Sequence, residues 1–240
     1  RVCKPGMMEY ELAAEVEFVF RKHGGDPLHA YPSIVAGGEN ACTLHYVNNN
    51  CELKDGDLVL IDAGCELECY ASDITRTFPV NGVFTQEQKA LYEIVLKAQQ
   101  AAIDEVRPGK SVINPHRKAV GIITKGLTDL DILKGDPREL IKKRAYFRFF
   151  MHSTGHFLGL DVHDVGEKRI DGKARVFEPG MVVTVEPGIC IRRRSTGVDT
   201  RWHGIGIRIE DDVLVTENGN EVLSKNVPKT VEEIEKVMKH

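Results

Sequence analysis

Val59-Leu60-Ile61-Asp62-Ala63-Gly64-Cys65-Glu66-Leu67-Glu68-Cys69-Tyr70-Ala71-Ser72-Asp73-Ile74-Thr75-Arg76-Thr77 alternates on either side of its middle as two neighbouring strands do. Leu58, Leu60 and Asp62 share one face of the first strand, and Asp73, Thr75 and Thr77 share one face of the second. A tight reversal centred on Leu67-Glu68 predicts a hairpin that sets Asp62 directly across from Asp73. Opposed residues on paired strands hold their Cβ atoms roughly 4.5–5.5 Å apart, where like charges destabilise the pair. Relief comes if one carboxyl keeps a proton, if a divalent cation lies between the two, or if one Asp points to solvent. The hairpin alone does not choose among these.

Further acidic groups stand in strand-like surroundings in the last third of the chain. In Met181-Val182-Val183-Thr184-Val185-Glu186-Pro187-Gly188 a charge ends an apolar run. In Gly204-Ile205-Gly206-Ile207-Arg208-Ile209-Glu210-Asp211-Asp212-Val213-Leu214-Val215, alternation puts Arg208, Glu210 and Asp212 on the face opposite Ile205, Ile207 and Ile209. Burying such charges is costly unless they are paired or bind a metal, so Glu186 and Glu210 join the two aspartates as candidates. Between these regions, Met151-His152-Ser153-Thr154-Gly155-His156-Phe157-Leu158-Gly159-Leu160-Asp161-Val162-His163-Asp164 carries three of the chain's nine histidines. The spacing His-x-x-x-His suits a helical zinc pair, but Gly155 and Gly159 disfavour a helix. An extended or looped path presents the imidazoles to a cleft instead.

Between these motifs the chain is largely helical. Apolar spacing predicts a helix over 8–22, closed by Gly24-Gly25. Thr85-Gln86-Glu87-Gln88 opens a helix expected over 86–106, and Arg107-Pro108-Gly109 ends it. Ser111 is expected to cap a second helix reaching Gly126, with Pro115 in its early turns, followed by a third over 137–144. Thr230-Val231-Glu232-Glu233 opens a short terminal helix. The segment Ser33-Ile34-Val35-Ala36-Gly37-Gly38 and Leu44-His45-Tyr46 read as a short strand pair, and Arg192-Arg193-Arg194 as a solvated loop. A helix-then-strand order recurs weakly in the two halves.

The totals narrow the function classes. A chain of 240 residues with 42% hydrophobic and 28% charged residues buries a full core. Net charge is −4 without a long basic block, which excludes an obvious footprint for nucleic acid or an anionic membrane surface. No apolar run approaches the roughly 20 residues of a spanning helix. Six scattered cysteines without a C-x-x-C pair read as free thiols of a reducing compartment, and the cytoplasm is the expected location. The chain opens on Arg1 with a helix close behind, and is expected to be part of a longer protein.

Taken together, His152-Ser153-Thr154-Gly155-His156-Phe157-Leu158-Gly159-Leu160-Asp161-Val162-His163-Asp164, the Asp62 and Asp73 pair, Val185-Glu186-Pro187-Gly188 and Gly206-Ile207-Arg208-Ile209-Glu210 resemble, in order and spacing, the aminopeptidase P and proline dipeptidase family of "pita-bread" metallopeptidases. Thr43-Leu44-His45-Tyr46 and Asp73-Ile74-Thr75-Arg76-Thr77-Phe78-Pro79-Val80-Asn81-Gly82 are most similar to bacterial-type Xaa-Pro aminopeptidases. The resemblance implies an α+β pita-bread fold, with a curved antiparallel sheet flanked by helices, as one catalytic domain over 1–240. The extra N-terminal domain usual in the family has no counterpart here. It further implies two divalent ions held by Asp62, Asp73, His156, Glu186 and Glu210, with manganese expected and cobalt, iron or zinc as alternatives. Four carboxylates and one imidazole are mostly hard donors, which suits such ions better than a thiolate site does. Four negative charges beside two M²⁺ ions approach neutrality, which relieves the Asp62–Asp73 repulsion.

The implied activity is hydrolysis of an N-terminal Xaa-Pro bond by a hydroxide bridging the two ions. Glu186 would shuttle protons, His163 would donate to the developing oxyanion, and His45 and His152 would line the proline side of the pocket. Arg208 would steady the ligand carboxylates or hold substrate. Peptides with proline second are the expected partners, and a dimer or tetramer the expected assembly. Proline dipeptidase, methionine aminopeptidase and a non-catalytic peptide- or protein-binding module are the alternatives.

Overall fold

The computed structural model describes residues 2–239. Helix α1 (Glu9–Lys22) leads into β1 (Ile34–Gly37), a 3-10 turn at Gly38–Cys42, β2 (Leu58–Ala63), β3 (Glu66–Leu67), β4 (Tyr70–Ala71) and β5 (Ile74–Pro79). Helices α2 (Gln86–Ile103), α3 (Asn114–Asp129) and α4 (Pro137–Lys142) form the middle. The last third holds β6 (Arg169–Ile170), β7 (Lys173–Ala174), β8 (Val182–Val185), β9 (Gly188–Ile191), β10 (Ile205–Arg208), β11 (Asp211–Thr216), β12 (Gly219–Val222) and α5 (Val231–Met238). Every pairing among these strands is antiparallel: β1-β2-β5 and β12-β11-β8 form three-stranded sheets, and β10 pairs with β9.

Local rules account for the helix starts. Thr85 Oγ1 accepts from the Gln88 amide at 3.2 Å while Gln88 Oε1 accepts from the Thr85 amide at 2.9 Å, the reciprocal box expected from the sequence. Thr230 and Glu233 repeat it at α5. Two expected ends shift for tertiary reasons. Helix α3 begins at Asn114 without a side-chain cap and runs past Gly126, where a Cβ would lie 2.7 Å from Ile94 of α2. Gly126 is therefore a contact point between two helices and not a stop. Helix α2 ends at Ile103, and Asn220 Nδ2 in β12 donates to the Ile103 and Val106 carbonyls, both at 3.0 Å.

The hairpin forms with a different register from the one expected. Both central residues of its turn, Glu68 and Cys69, have positive φ, at 51° and 65°, so the reversal lies one residue later than Leu67-Glu68. Asp62 consequently faces Thr75, and Asp73 lies beyond the end of β5. Gly64 permits the crossing, because a Cβ there would sit 1.8 Å from the Ser72 carbonyl oxygen and 2.6 Å from the Tyr31 ring. His45 also departs from expectation: it occupies an exposed turn, and β1 pairs with β2 instead of with Leu44-His45-Tyr46.

One core holds the layers together. Leu91, Val95 and Ala98 of α2 and Ile123 and Leu127 of α3 are fully buried in the same cluster as Val59, Ile191, Ile209 and Val213. The two halves of the sheet meet where β5 runs beside the break between β10 and β11. There the Arg208 amide donates to Thr77 Oγ1 at 3.2 Å, Thr77 Oγ1 donates to the Arg208 carbonyl at 2.9 Å, and the Glu210 amide donates to the Thr75 carbonyl at 3.1 Å. The continuous strand expected over 204–215 is thus two strands in different sheets, kinked at Ile209-Glu210. That kink places Glu210 at the seam.

Candidate metal centre

The seam opens into a cavity of about 330 Å³. Its walls include Asp62, Asp73, His156, Glu186, Glu210 and Arg208, with His45, His152 and His163 around them. All nine positions singled out from the sequence therefore line one cavity. Asp62, Asp73, Arg208 and Glu210 are buried, and His45 and His163 are exposed.

Each side chain is held from behind. The Glu186 amide donates to the Thr154 carbonyl at 2.9 Å, and the Thr184 amide donates to the His156 carbonyl at 3.0 Å, so the histidine loop is stitched onto β8. Gly155 makes this close approach feasible, since a Cβ there would lie 1.9 Å from the Thr184 oxygen. His156 Nδ1 lies 2.9 Å from the Phe157 carbonyl, a partner that takes the Nδ1–H and directs Nε2 into the cavity. His163 stands edge-on to that ring at 4.3 Å between centroids. His45 owes its position to Glu9, a fully buried carboxylate that accepts from Tyr46 Oη at 2.7 Å, the Gly37 amide at 2.8 Å and the Cys51 amide at 2.9 Å.

The electrostatics are those of too many carboxylates in too little water. Burial pushes Glu186 up to about 7, against the pull of Arg208 and His156. Burial and the neighbouring Asp73, Glu186 and Asp62 raise Glu210 well above the ordinary carboxylate range. Asp62 is also raised by burial, despite Arg208 Nη2 at 2.5 Å from its Oδ2. Burial works in the same direction on Asp73, but hydrogen bonds from His156 and Tyr31 outweigh it and hold this carboxyl low. His152 is driven down to about 4 by burial and by Arg208, so it is neutral at pH 7.

Tyr31 is the part of the site that sequence reasoning missed. Its hydroxyl lies 2.5 Å from Asp62 Oδ1 and 2.6 Å from Asp73 Oδ1. The phenol thus sits between the two carboxyls, within hydrogen-bonding reach of each. Thr75 Oγ1 donating to Glu210 Oε2 at 2.6 Å, and Asp212 Oδ2 accepting from the Asp73 amide at 3.1 Å, were likewise not singled out. Alternation on β5 flags Thr75, but Tyr31 has no local signal.

Donor atoms of Asp73, His156 and Glu210 lie within 4.8 Å of one another, and such a group can hold a metal ion. The surroundings fit a cation: four carboxylates converge, two of them well above their ordinary range, and the imidazole nitrogen facing them is fixed by its other hydrogen bond.

Antiparallel sheets flanked by helices, with a carboxylate and imidazole cluster at the seam of the two halves, define a metallopeptidase-type domain of the pita-bread class. Residues 1–217 match the metallopeptidase family M24, and the chain belongs to that family. It is 52% identical over 236 residues to the Xaa-Pro aminopeptidase of Escherichia coli, covering 98% of this chain and 53% of that protein. Identity to the Xaa-Pro aminopeptidase of Haemophilus influenzae is 52% over 238 residues, covering 99% and 55%. The structure of Pseudomonas aeruginosa aminopeptidase PepP superposes with a TM-score of 0.97 at 59% identity, covering 99% of this chain and 53% of that one. A Zn-substituted E. coli aminopeptidase P in complex with product gives 0.94 at 52% identity, with 99% and 53% covered. The chain spans about half the length of the curated relatives it matches.

Proposed function

We propose that this chain is the catalytic domain of a metal-dependent exopeptidase that cleaves the bond between an N-terminal residue and a following proline. The observation that carries the reading is the gathering of Asp62, Asp73, His156, Glu186 and Glu210 on one cavity together with His45, His152, His163 and Arg208. In this reading the first five hold two divalent ions, with manganese expected and cobalt, iron or zinc as alternatives; four carboxylates and one imidazole form a hard donor set unlike a thiolate site. When bound, such ions polarise the scissile carbonyl and acidify water at neutral pH.

The remaining work falls to the chain's own groups. Glu186 takes and returns a proton while it serves as a ligand. His163, exposed at the rim, donates to the oxygen that gains charge. Neutral His152 and the His45 turn wall the proline side, where a ring without an N–H is accepted in place of an extended strand. Arg208 keeps Asp62 oriented. The reading also has residues 1–240 as one domain working as a dimer or tetramer in the cytoplasm. Among the described residues no helix is long and apolar enough to cross a membrane.

The deciding experiment supplies manganese and compares Ala-Pro-Ala-Ala, Ala-Pro and Met-Ala. Release of alanine from the tetrapeptide, with the dipeptides slower, is expected. Cleavage of Ala-Pro alone would assign a dipeptidase, Met-Ala alone a methionine aminopeptidase, and no hydrolysis with no bound metal a binding module.

Two further outcomes follow from the geometry. Because metal must displace the proton that Glu186 keeps up to about 7, and the one that burial holds on Glu210, apparent affinity for manganese is expected to fall at least about tenfold per pH unit below 7. Calorimetric titrations between pH 5.5 and 8, showing proton release that shrinks as pH rises, would check this, and a flat profile would contradict it. Tyr31→Phe removes the hydroxyl between Asp62 and Asp73 and is expected to weaken metal binding roughly 10–100-fold. Unchanged affinity in the same titration would make Tyr31 mere packing.

A further inference from the structure

Cys42 and Cys190 are buried side by side although 148 residues separate them in the chain. Cys42 ends the 3-10 turn Gly38–Cys42 and Cys190 lies in β9. Their approach depends on Gly206, the β10 partner of Cys190, where a Cβ would lie 2.6 Å from the Ala41 backbone. Cys190 Sγ donates to the Cys42 carbonyl at 3.4 Å, and Cys42 Sγ lies 3.6 Å from the Ile205 carbonyl.

A cation completes the arrangement. Arg192 Nη2 donates to the Cys42 carbonyl at 3.3 Å, which brings the guanidinium beside the Cys190 sulfur. The Cys42 thiol, and to a lesser degree Arg192, hold the Cys190 thiol below its ordinary range despite burial. A neighbouring cation or second thiol favours the thiolate, which is the form that attacks. The other cysteines lack this setting: Cys3 is raised to about 11 by burial, and Cys65 is raised by burial and by Asp26 and Glu66.

We propose that Cys42 and Cys190 form an oxidisable dithiol, a modification site that a hydroperoxide converts to an intramolecular disulfide. The Cys190 thiolate attacks one peroxide oxygen, forming an S–O bond as the O–O bond breaks, and the departing hydroxide leaves as water. Cys42 then attacks that sulfur, the S–S bond forms, the S–O bond breaks, and a second water carries away the thiol proton. The two thiols lose two electrons and two protons, and hydrogen peroxide is reduced to water.

The bond would tie the turn that leads to His45 to the strand that begins at Gly188, where a Cβ would lie 3.2 Å from His152 Nε2. It would therefore span two walls of the cavity. The inference is independent of any peptidase activity.

Peptide mapping of the full chain tests it. The folded protein is treated with hydrogen peroxide, capped with N-ethylmaleimide, and digested with trypsin without reductant. A linked pair joining the fragments that contain Cys42 and Cys190 is expected, and dithiothreitol should release it. Cys51 shares the tryptic fragment of Cys42, so the link must persist in Cys51→Ser and vanish in Cys190→Ser. Oxidation after unfolding in guanidinium should scatter the pairing among all six cysteines. Both thiols capped after peroxide, Cys190 carried on to the sulfinic acid, or a link to another cysteine would each overturn the proposal.

Discussion

Asp73→Ala is expected to lower turnover of a proline-second peptide by on the order of 10³-fold and to reduce bound metal from two ions per chain to one or none. Asp73 Oδ2 lies 3.3 Å from His156 Nε2, and its Oδ1 lies 2.6 Å from the Tyr31 hydroxyl, so the carboxylate sits where three functional groups converge. It is also the carboxyl of the cluster held lowest, hence the one already ionised and ready for a cation. Losing a Lewis-acid contact costs several kcal/mol of transition-state stabilisation, and about 1.4 kcal/mol is tenfold in rate. The fold should survive, because removing one acid from a crowded acidic cavity relieves repulsion, and the Asp73 amide bond to Asp212 is made by backbone. Metal analysis and steady-state kinetics on parent and variant decide the matter. A variant with full metal and full turnover would remove Asp73 from the site.

Arg208→Ala is expected to be the more damaging change to stability. Its guanidinium is 5% exposed and is the cation facing Asp62, Glu186 and Glu210, with Nε 3.3 Å from Thr75 Oγ1 and Nη2 2.5 Å from Asp62 Oδ2. Removing one partner of such a buried pair costs about 3–5 kcal/mol, because the other charge is left uncompensated. For a domain of this size that lowers the unfolding midpoint by roughly 6–20 °C in metal-free protein. With manganese bound the loss should shrink, since the ions compensate the same carboxylates. Differential scanning calorimetry with and without metal reads both numbers. A midpoint within about 2 °C of the parent in both states would mean that the Arg208–Asp62 pair adds nothing.

What could be read in advance follows the range of the interaction concerned. The boxes at Thr85 and Thr230 and the ends of α1 depend on groups three or four residues apart, and they stand where the sequence placed them. The donors Asp62, Asp73, His156, Glu186 and Glu210 were legible as acids and a histidine in apolar or glycine-broken surroundings, where burial without a role would be costly. The hairpin register was not legible, because Glu68 and Cys69 adopt the left-handed conformation without the Asn or Gly that usually announces it. His45 looked like a strand residue, since the carboxylate that shapes its turn belongs to Glu9, 37 residues from Tyr46. Tyr31 escaped notice for the same reason: its partners lie 31 and 42 residues away.

By itself, then, the sequence determined the chemical character of this protein: an acidic, histidine-bearing, hard-donor chain with helices delimited by their own caps. Only the tertiary structure decided which carboxylates share a hydroxyl, which one takes the arginine, and that two cysteines 148 residues apart touch. Caps and periodicity act within a turn or two of chain, so neighbours in sequence suffice to specify them. Convergence at the cavity depends on the register of β2 with β5 and on the kink between β10 and β11. Those are set by packing two half-sheets against a common core.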